Sequence, residues 1–113
     1  MNLKDYQEFC QKIALPQETK EKEILGWGLE ISGEAGDVAG CIKKTYIHKD
    51  NKIDGIKENL GDTMWYIAMI CNFYGWDMND IIEENVTKLQ KRYTKGISFE
   101  AAARKGEKKD WNE

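Results

Sequence analysis

The sequence predicts an all-α domain built as an antiparallel bundle of four main helices. Apolar residues recur at intervals of three and four along most of the chain, which is the period of helices that bury one face. No stretch alternates apolar and polar residues as a half-buried strand does, and short polar connections separate the periodic runs. With 113 residues there is room for one domain and one modest core, expected to span 1–113 with a body over 2–104 and a tail over 105–113.

The first helix is expected from about Asn2 to Ala14, docking by Leu3, Tyr6, Phe9, Cys10 and Ile13 and ending at Leu15-Pro16. Thr19 then caps a long second helix reaching about Thr45, with Trp27, Ile31, Ala35, Val38 and Ile42 on its core stripe. Five glycines fall inside it (Gly26, Gly28, Gly33, Gly36 and Gly40). Each costs about 1 kcal/mol relative to alanine, so close helix packing or room for a ligand is expected to offset them. His48 to Asp54 forms a polar connection with His48 as an exposed loop residue and Asp54 as the cap of the third helix.

Ile56 to Tyr74 is apolar on two faces: Ile56, Leu60, Met64, Ile67, Cys71 and Tyr74 on one, Trp65, Met69 and Phe73 nearly opposite. Such a helix is central, and burying both faces asks for more than four short helices in one chain supply. Gly75 is its expected stop. Asp77 is the expected cap of a fourth helix carrying Ile81, Ile82, Val86, Leu89 and Tyr93 and ending at Gly96; Ser98 caps a short helix through Ala103.

A net charge of -3 with both signs mixed argues against a nucleic-acid-binding surface. Cys10, Cys41 and Cys71 are odd in number, lack a C-x-x-C pair and sit in apolar patterns, as reduced core cysteines do. No apolar run is long enough for a leader or a membrane span, so a soluble, cytoplasmic protein without membrane or nucleic-acid partners is expected.

Chemistry concentrates in two stretches. In LEISGEAGDVAGCIKK, Glu30, Glu34 and Asp37 form a row along the edge of the core stripe; in the third helix Glu58, Asn59 and Asp62 open the second apolar face. Like charges one turn apart repel, and a bound cation removes that penalty. If the two helices pack antiparallel, four or more oxygen donors converge, which suits a hard cation such as magnesium, with manganese as a substitute. A di-iron bundle needs Glu-x-x-His ligands, whereas the single histidine lies in a loop. No nucleophile–base set or strand-borne glycine loop is present. Magnesium on carboxylates commonly meets substrate phosphates, so phosphoryl or nucleotidyl hydrolysis is the reaction class expected.

GLEISGEAGDVAG, followed by IKENLGDTMWYIA and then NVTKLQKRYTKGISFEAA, resembles the MazG-like all-α nucleoside triphosphate pyrophosphohydrolases over about Leu25 to Ala103. The family's paired motif is an E-x-x-E helix followed by an E-x-x-D helix; this chain carries the pair in that order, with Asp37 in place of the usual second glutamate, together with the L-G-D-x-x-W-Y context and the later R-Y-x-x-G. It implies a MazG-like bundle whose helices pack across a homodimer or homotetramer. It also implies magnesium-dependent hydrolysis of (d)NTPs to monophosphate and pyrophosphate, in keeping with nucleotide-pool housecleaning. Glu34 and Asp37 match the first acidic pair and Asp62 the final aspartate. The family's glutamate three residues before that aspartate is Asn59 here; its amide oxygen is one candidate for the third ligand, neutral in charge, and Glu58, one turn before Asp62, is the other. Glu30 adds a carboxylate as ligand or as base for the attacking water. Lys88 and Arg92 are expected to neutralise the phosphates, and Tyr66 with Trp27 or Trp65 to stack on base or sugar. The alternative implied by Asn59 is a catalytically weakened member acting as a nucleotide-binding or protein-interaction oligomer.

Overall fold

A computed structural model of the chain describes residues 1–93. Among them four α-helices follow in order: α1 (Leu3–Ile13), α2 (Lys20–Tyr46), α3 (Ile53–Tyr74) and α4 (Met78–Arg92). The chain divides into two compact units, Met1–Asp77 and Met78–Glu113, so α1 to α3 form one body and α4 belongs to the second. The expected helix end at Gly96, the short helix through Ala103 and the tail lie outside the described residues.

Asn2 starts α1, its Oδ1 accepting the Asp5 N–H at 2.8 Å. The helix ends at Ala14, which is extended, as suits the approach to Leu15-Pro16. Its docking face differs from the expected one: Cys10 and Gln7 are buried and Leu3 and Tyr6 half-buried, whereas Phe9 and Ile13 are exposed. The reason is polar. Gln7 Nε2 donates to Asn72 Oδ1 at 3.0 Å and to the Trp76 carbonyl at 2.9 Å, and Asn72 Nδ2 donates to the Gln7 carbonyl at 2.9 Å. These bonds turn α1 so that an amide, rather than Phe9, meets the end of α3.

Thr19 caps α2 as expected, its hydroxyl accepting the Lys22 N–H at 3.1 Å. The inward stripe is Ile24, Trp27, Ile31, Glu34, Val38, Cys41 and Thr45, at alternating steps of three and four. Ala35 and Ile42, expected on that stripe, are exposed. The helix is rotated so that Glu34, Cys41 and Thr45 share the contact face with the apolar residues. None of the five α2 glycines has an atom of the described chain within 4 Å of where a Cβ would stand, so close packing within one chain does not account for them and the space beside them is open.

At the far end of α2, the Thr45 hydroxyl donates to the Cys41 carbonyl and accepts the Lys52 N–H, at 2.8 and 2.9 Å. Asn51 Oδ1 takes the Ile53 N–H at 3.0 Å. With those groups in place, Lys52 occupies the cap position without a side-chain bond, and Asp54, expected as the cap, sits in the first turn instead. There its charge complements the helix dipole. His48 is exposed, as expected.

α3 is the central helix of the first unit, running antiparallel to α2 and packed on α1 as well. Ala68, Met69 and Cys71 are buried in it, together with Cys10 of α1 and Trp27 of α2. The three cysteines are free, Cys10 and Cys71 buried and Cys41 partly so. Gly75 ends α3 in the left-handed region at φ 72°, its N–H reaching the Asn72 carbonyl while Trp76 N–H returns to Cys71 O at 2.9 Å. The other apolar face of α3 stays open: Ile53, Leu60 and Met64 are each about half exposed, 52, 52 and 44%. No helix among the described residues is long and apolar enough to cross a membrane.

Candidate active site

The antiparallel pairing of α2 and α3 sets the site. Trp27 lies beside Trp65 and Tyr66 at one level, and Cys41 beside Gly55 and Asn59 at another. Between those levels Glu34 and Asp62 come together with Trp65 and Tyr66 around a cleft of about 250 Å³. Glu34 is half-buried because it stands on the contact stripe, while Asp62 is exposed on the flank of α3.

The electrostatics follow from that placement. Partial burial pushes the Glu34 carboxyl pKa up, and the charges of Asp62, Asp37, Glu30 and Glu58 push it further the same way. The charges of four other predicted carboxylates thus act on Glu34, and Asp62 alone of them shares its cleft. A carboxyl whose pKa is higher in the folded chain than in the unfolded one makes folding less favourable once it ionises. That penalty is absent below the ordinary glutamate range, grows between that range and the raised value of Glu34, and is complete above it. Glu34→Gln is accordingly expected to flatten the fall in thermal stability across that window, measured as wild-type minus variant melting temperature against pH in metal-free buffer.

The Tyr66 hydroxyl pKa is pushed up to about 12 by burial, by its hydrogen bond to Glu30 and by the charges of Glu30, Glu34 and Asp62. It stays protonated and donates to the Glu30 carboxylate, one turn from Glu34 on α2. Trp27, Trp65 and Tyr66 form one aromatic cluster, with Trp27–Trp65 centroids 5.2 Å apart edge-on and Trp65–Tyr66 5.1 Å apart. Trp65 and Tyr66 line the cleft, while Trp27 is buried beside them and its Nε1 has no partner among the described residues.

Asn59 behaves differently from its neighbours: it is half-buried between α2 and α3 and its Nδ2 donates to Cys41 Sγ at 3.6 Å. Lys88 and Arg92 stand one turn apart on α4, in the second unit. Sequence reasoning assigned Tyr6 only to packing, yet its hydroxyl, bonded to Cys10, has its pKa raised to about 12 by burial, by Cys10 and by the charge of Asp62. The i, i+4 spacing of Tyr6 and Cys10 marked a common face; which helix that face meets was not legible.

Among the described residues no three histidine, cysteine or acidic side chains converge closely enough to hold one ion by themselves. The donor chemistry nonetheless fits a hard divalent cation. Magnesium takes one or two protein carboxylates and fills its remaining positions with water and phosphate oxygens. Glu34 and Asp62, flanking one cleft, meet that requirement.

A family model of the MazG nucleotide pyrophosphohydrolase domain matches residues 23–97. The chain is also similar to the Gene 37 protein of Mycobacterium phage L5, 36% identical over 72 residues, which are 59% of this chain and 63% of that protein. The chain thus spans under two thirds of that relative's length. No solved structure matches it.

Proposed function

The chain belongs to the MazG nucleotide pyrophosphohydrolase family, and from that membership we propose that it hydrolyses nucleoside triphosphates to monophosphate and pyrophosphate with magnesium. One observation carries the reading: a half-buried glutamate, Glu34, shares an aromatic-walled cleft with Asp62 and feels the charges of Asp37, Glu30 and Glu58 as well. Mutual repulsion of this kind is relieved by a hard cation, and carboxylates with open positions leave room for phosphate oxygens.

Glu34 and Asp62 would hold the magnesium, with Asp37 of α2 and a second polar or acidic group of α3, Glu58 or Asn59, beside them. Bound there, the ion supplies charge neutralisation for the triphosphate and a water of lowered pKa. Glu30, kept in place by the Tyr66 hydroxyl, takes the proton of the attacking water. The exposed edges of Trp65 and Tyr66 hold the base or sugar and exclude water from one side. The phosphate role of Lys88 and Arg92 is read separately, as a raised KM in Lys88→Ala and Arg92→Gln.

The test is pyrophosphate release from a panel of (d)NTPs, with magnesium, with manganese and with neither. Metal-dependent release by the wild type and its loss in Glu34→Gln are expected. Binding of triphosphates without release under any condition would overturn the catalytic reading and leave the weakened, nucleotide-binding oligomer.

We also propose that a second copy of the chain covers the open apolar faces. Ile53, Leu60 and Met64 on α3, with Ile42 and Tyr46 on α2, are too exposed for an isolated domain of this size. Sedimentation equilibrium is expected to give a dimer or tetramer for the wild type and a smaller species for the Leu60→Glu, Met64→Glu double variant; a wild-type monomer would sink this.

A further inference from the structure

Two neighbouring residues of α3, Glu58 and Asn59, compete for the position that completes the acidic set opposite Glu34 and Asp37, and their surroundings separate them. Asn59 is half-buried on the face of α3 turned to α2, where its Nδ2 donates to Cys41 Sγ at 3.6 Å. One turn earlier, Gly55 approaches the same sulfur so closely that a Cβ there would stand 3.0 Å from it. The Cys41 sulfur thus occupies a notch between Gly55 and Asn59, and a side chain larger than hydrogen at residue 55 would displace it. A thiol is a weak acceptor, so this bond contributes less by its strength than by giving a part-buried amide a partner and a direction.

Glu58 has the opposite surroundings. It is exposed and stands one helical turn before Asp62 on the same flank of α3. A carboxylate on that flank brings the charge that a neutral amide lacks toward a hard cation.

We propose that Glu58, not Asn59, completes the metal-binding carboxylates of this chain, and that Asn59 is a positioning residue that fastens α3 to α2 through Cys41. The proposal rests on the magnesium reading of the site. It makes the asparagine at the family's glutamate position a packing residue whose lost charge is restored by the residue before it.

Manganese binding to the full chain, followed by titration calorimetry without nucleotide, tests this on wild type, Glu58→Gln, Asn59→Ala and Asn59→Asp, with helicity checked by circular dichroism. Glu58→Gln is expected to weaken manganese binding by about tenfold or more, the effect of losing a metal-supporting group. Asn59→Ala is expected to keep the wild-type affinity within a factor of about three while lowering the melting temperature. Cys41→Ala lowers it too, and the double variant loses less than the sum of the two. Asn59→Asp, which adds a carboxylate facing the sulfur, gives no tighter binding. A tenfold loss in Asn59→Ala, a tenfold gain in Asn59→Asp, or wild-type affinity in Glu58→Gln would each overturn the assignment. If Glu58→Gln fails to fold, Glu58→Ala takes its place with the same expectation. Absence of manganese binding by the wild type, alone and with a non-hydrolysable triphosphate, would instead sink the magnesium reading and this assignment with it.

Discussion

Asp62→Asn is expected to lower magnesium-dependent pyrophosphate release by about 100-fold or more, the scale seen when a group that stabilises transition-state charge is removed. Asp62 is the carboxylate that lines the cleft opposite Glu34, and its charge is the foremost among those raising the Glu34 pKa. The amide keeps the shape and one oxygen but gives up the charge that a hard cation requires. The same substitution relieves repulsion on Glu34, so in metal-free buffer the variant should melt no lower than the wild type. The two readouts moving in opposite directions identify Asp62 as a group kept for chemistry at the expense of stability. Retained release, or a lowered melting temperature in metal-free buffer, would contradict that.

The second large effect lies at the other end of α3. Asn72→Ala removes one of the two acceptors of Gln7 Nε2 and a side-chain donor to the Gln7 carbonyl at once, at bonds of 3.0 and 2.9 Å, and leaves the bond to the Trp76 carbonyl. Gln7 is 7% exposed, so its groups have little water to turn to. Losing the two bonds costs about 2 kcal/mol, about 1 kcal/mol for each. For a domain of this size that is a fall of roughly 10 °C or more in melting temperature. Because these bonds tie α1 to the end of α3, amide exchange in α1 should accelerate first, ahead of global unfolding. Uniform acceleration in all three helices of the unit, or an unchanged melting temperature, would count against a clasp at this point.

The helices themselves were legible because their signals are local. Thr19 and Gly75 act at the two ends expected of them, and the periodic apolar runs fall inside α1 to α4, except that Tyr93 lies just past the end of α4. The rotation of each helix about its axis was less legible. Apolar spacing placed Ala35 and Ile42 inward, yet α2 turns Glu34, Cys41 and Thr45 to α3. A stripe chosen by hydrophobicity misses positions where a site or a capping hydroxyl occupies the contact face. Phe9 was likewise expected to dock and is exposed, because the Gln7–Asn72 pairing decides the roll of α1 and no local pattern announces a bond across 65 residues of sequence. The acidic residues were legible as two rows. That Glu34 is the member set against Asp62 across the cleft, and that Asn59 turns to a sulfur, depends on how the rows face each other, which is a property of the pair of helices.

The aromatic cluster gives the protein a reporter of its own. Trp27 and Trp65, 5.2 Å apart and inclined at 78°, are close enough for their excited states to couple, and Tyr66 joins them while bonded to Glu30. Coupled indoles in a fixed mutual orientation generate a near-ultraviolet dichroic band that vanishes when side-chain packing loosens. Trp65 is also part of the cleft wall. Occupation of the cleft therefore perturbs a chromophore pair whose other half is buried, and ligand binding becomes readable optically, in unlabelled protein, before any turnover begins.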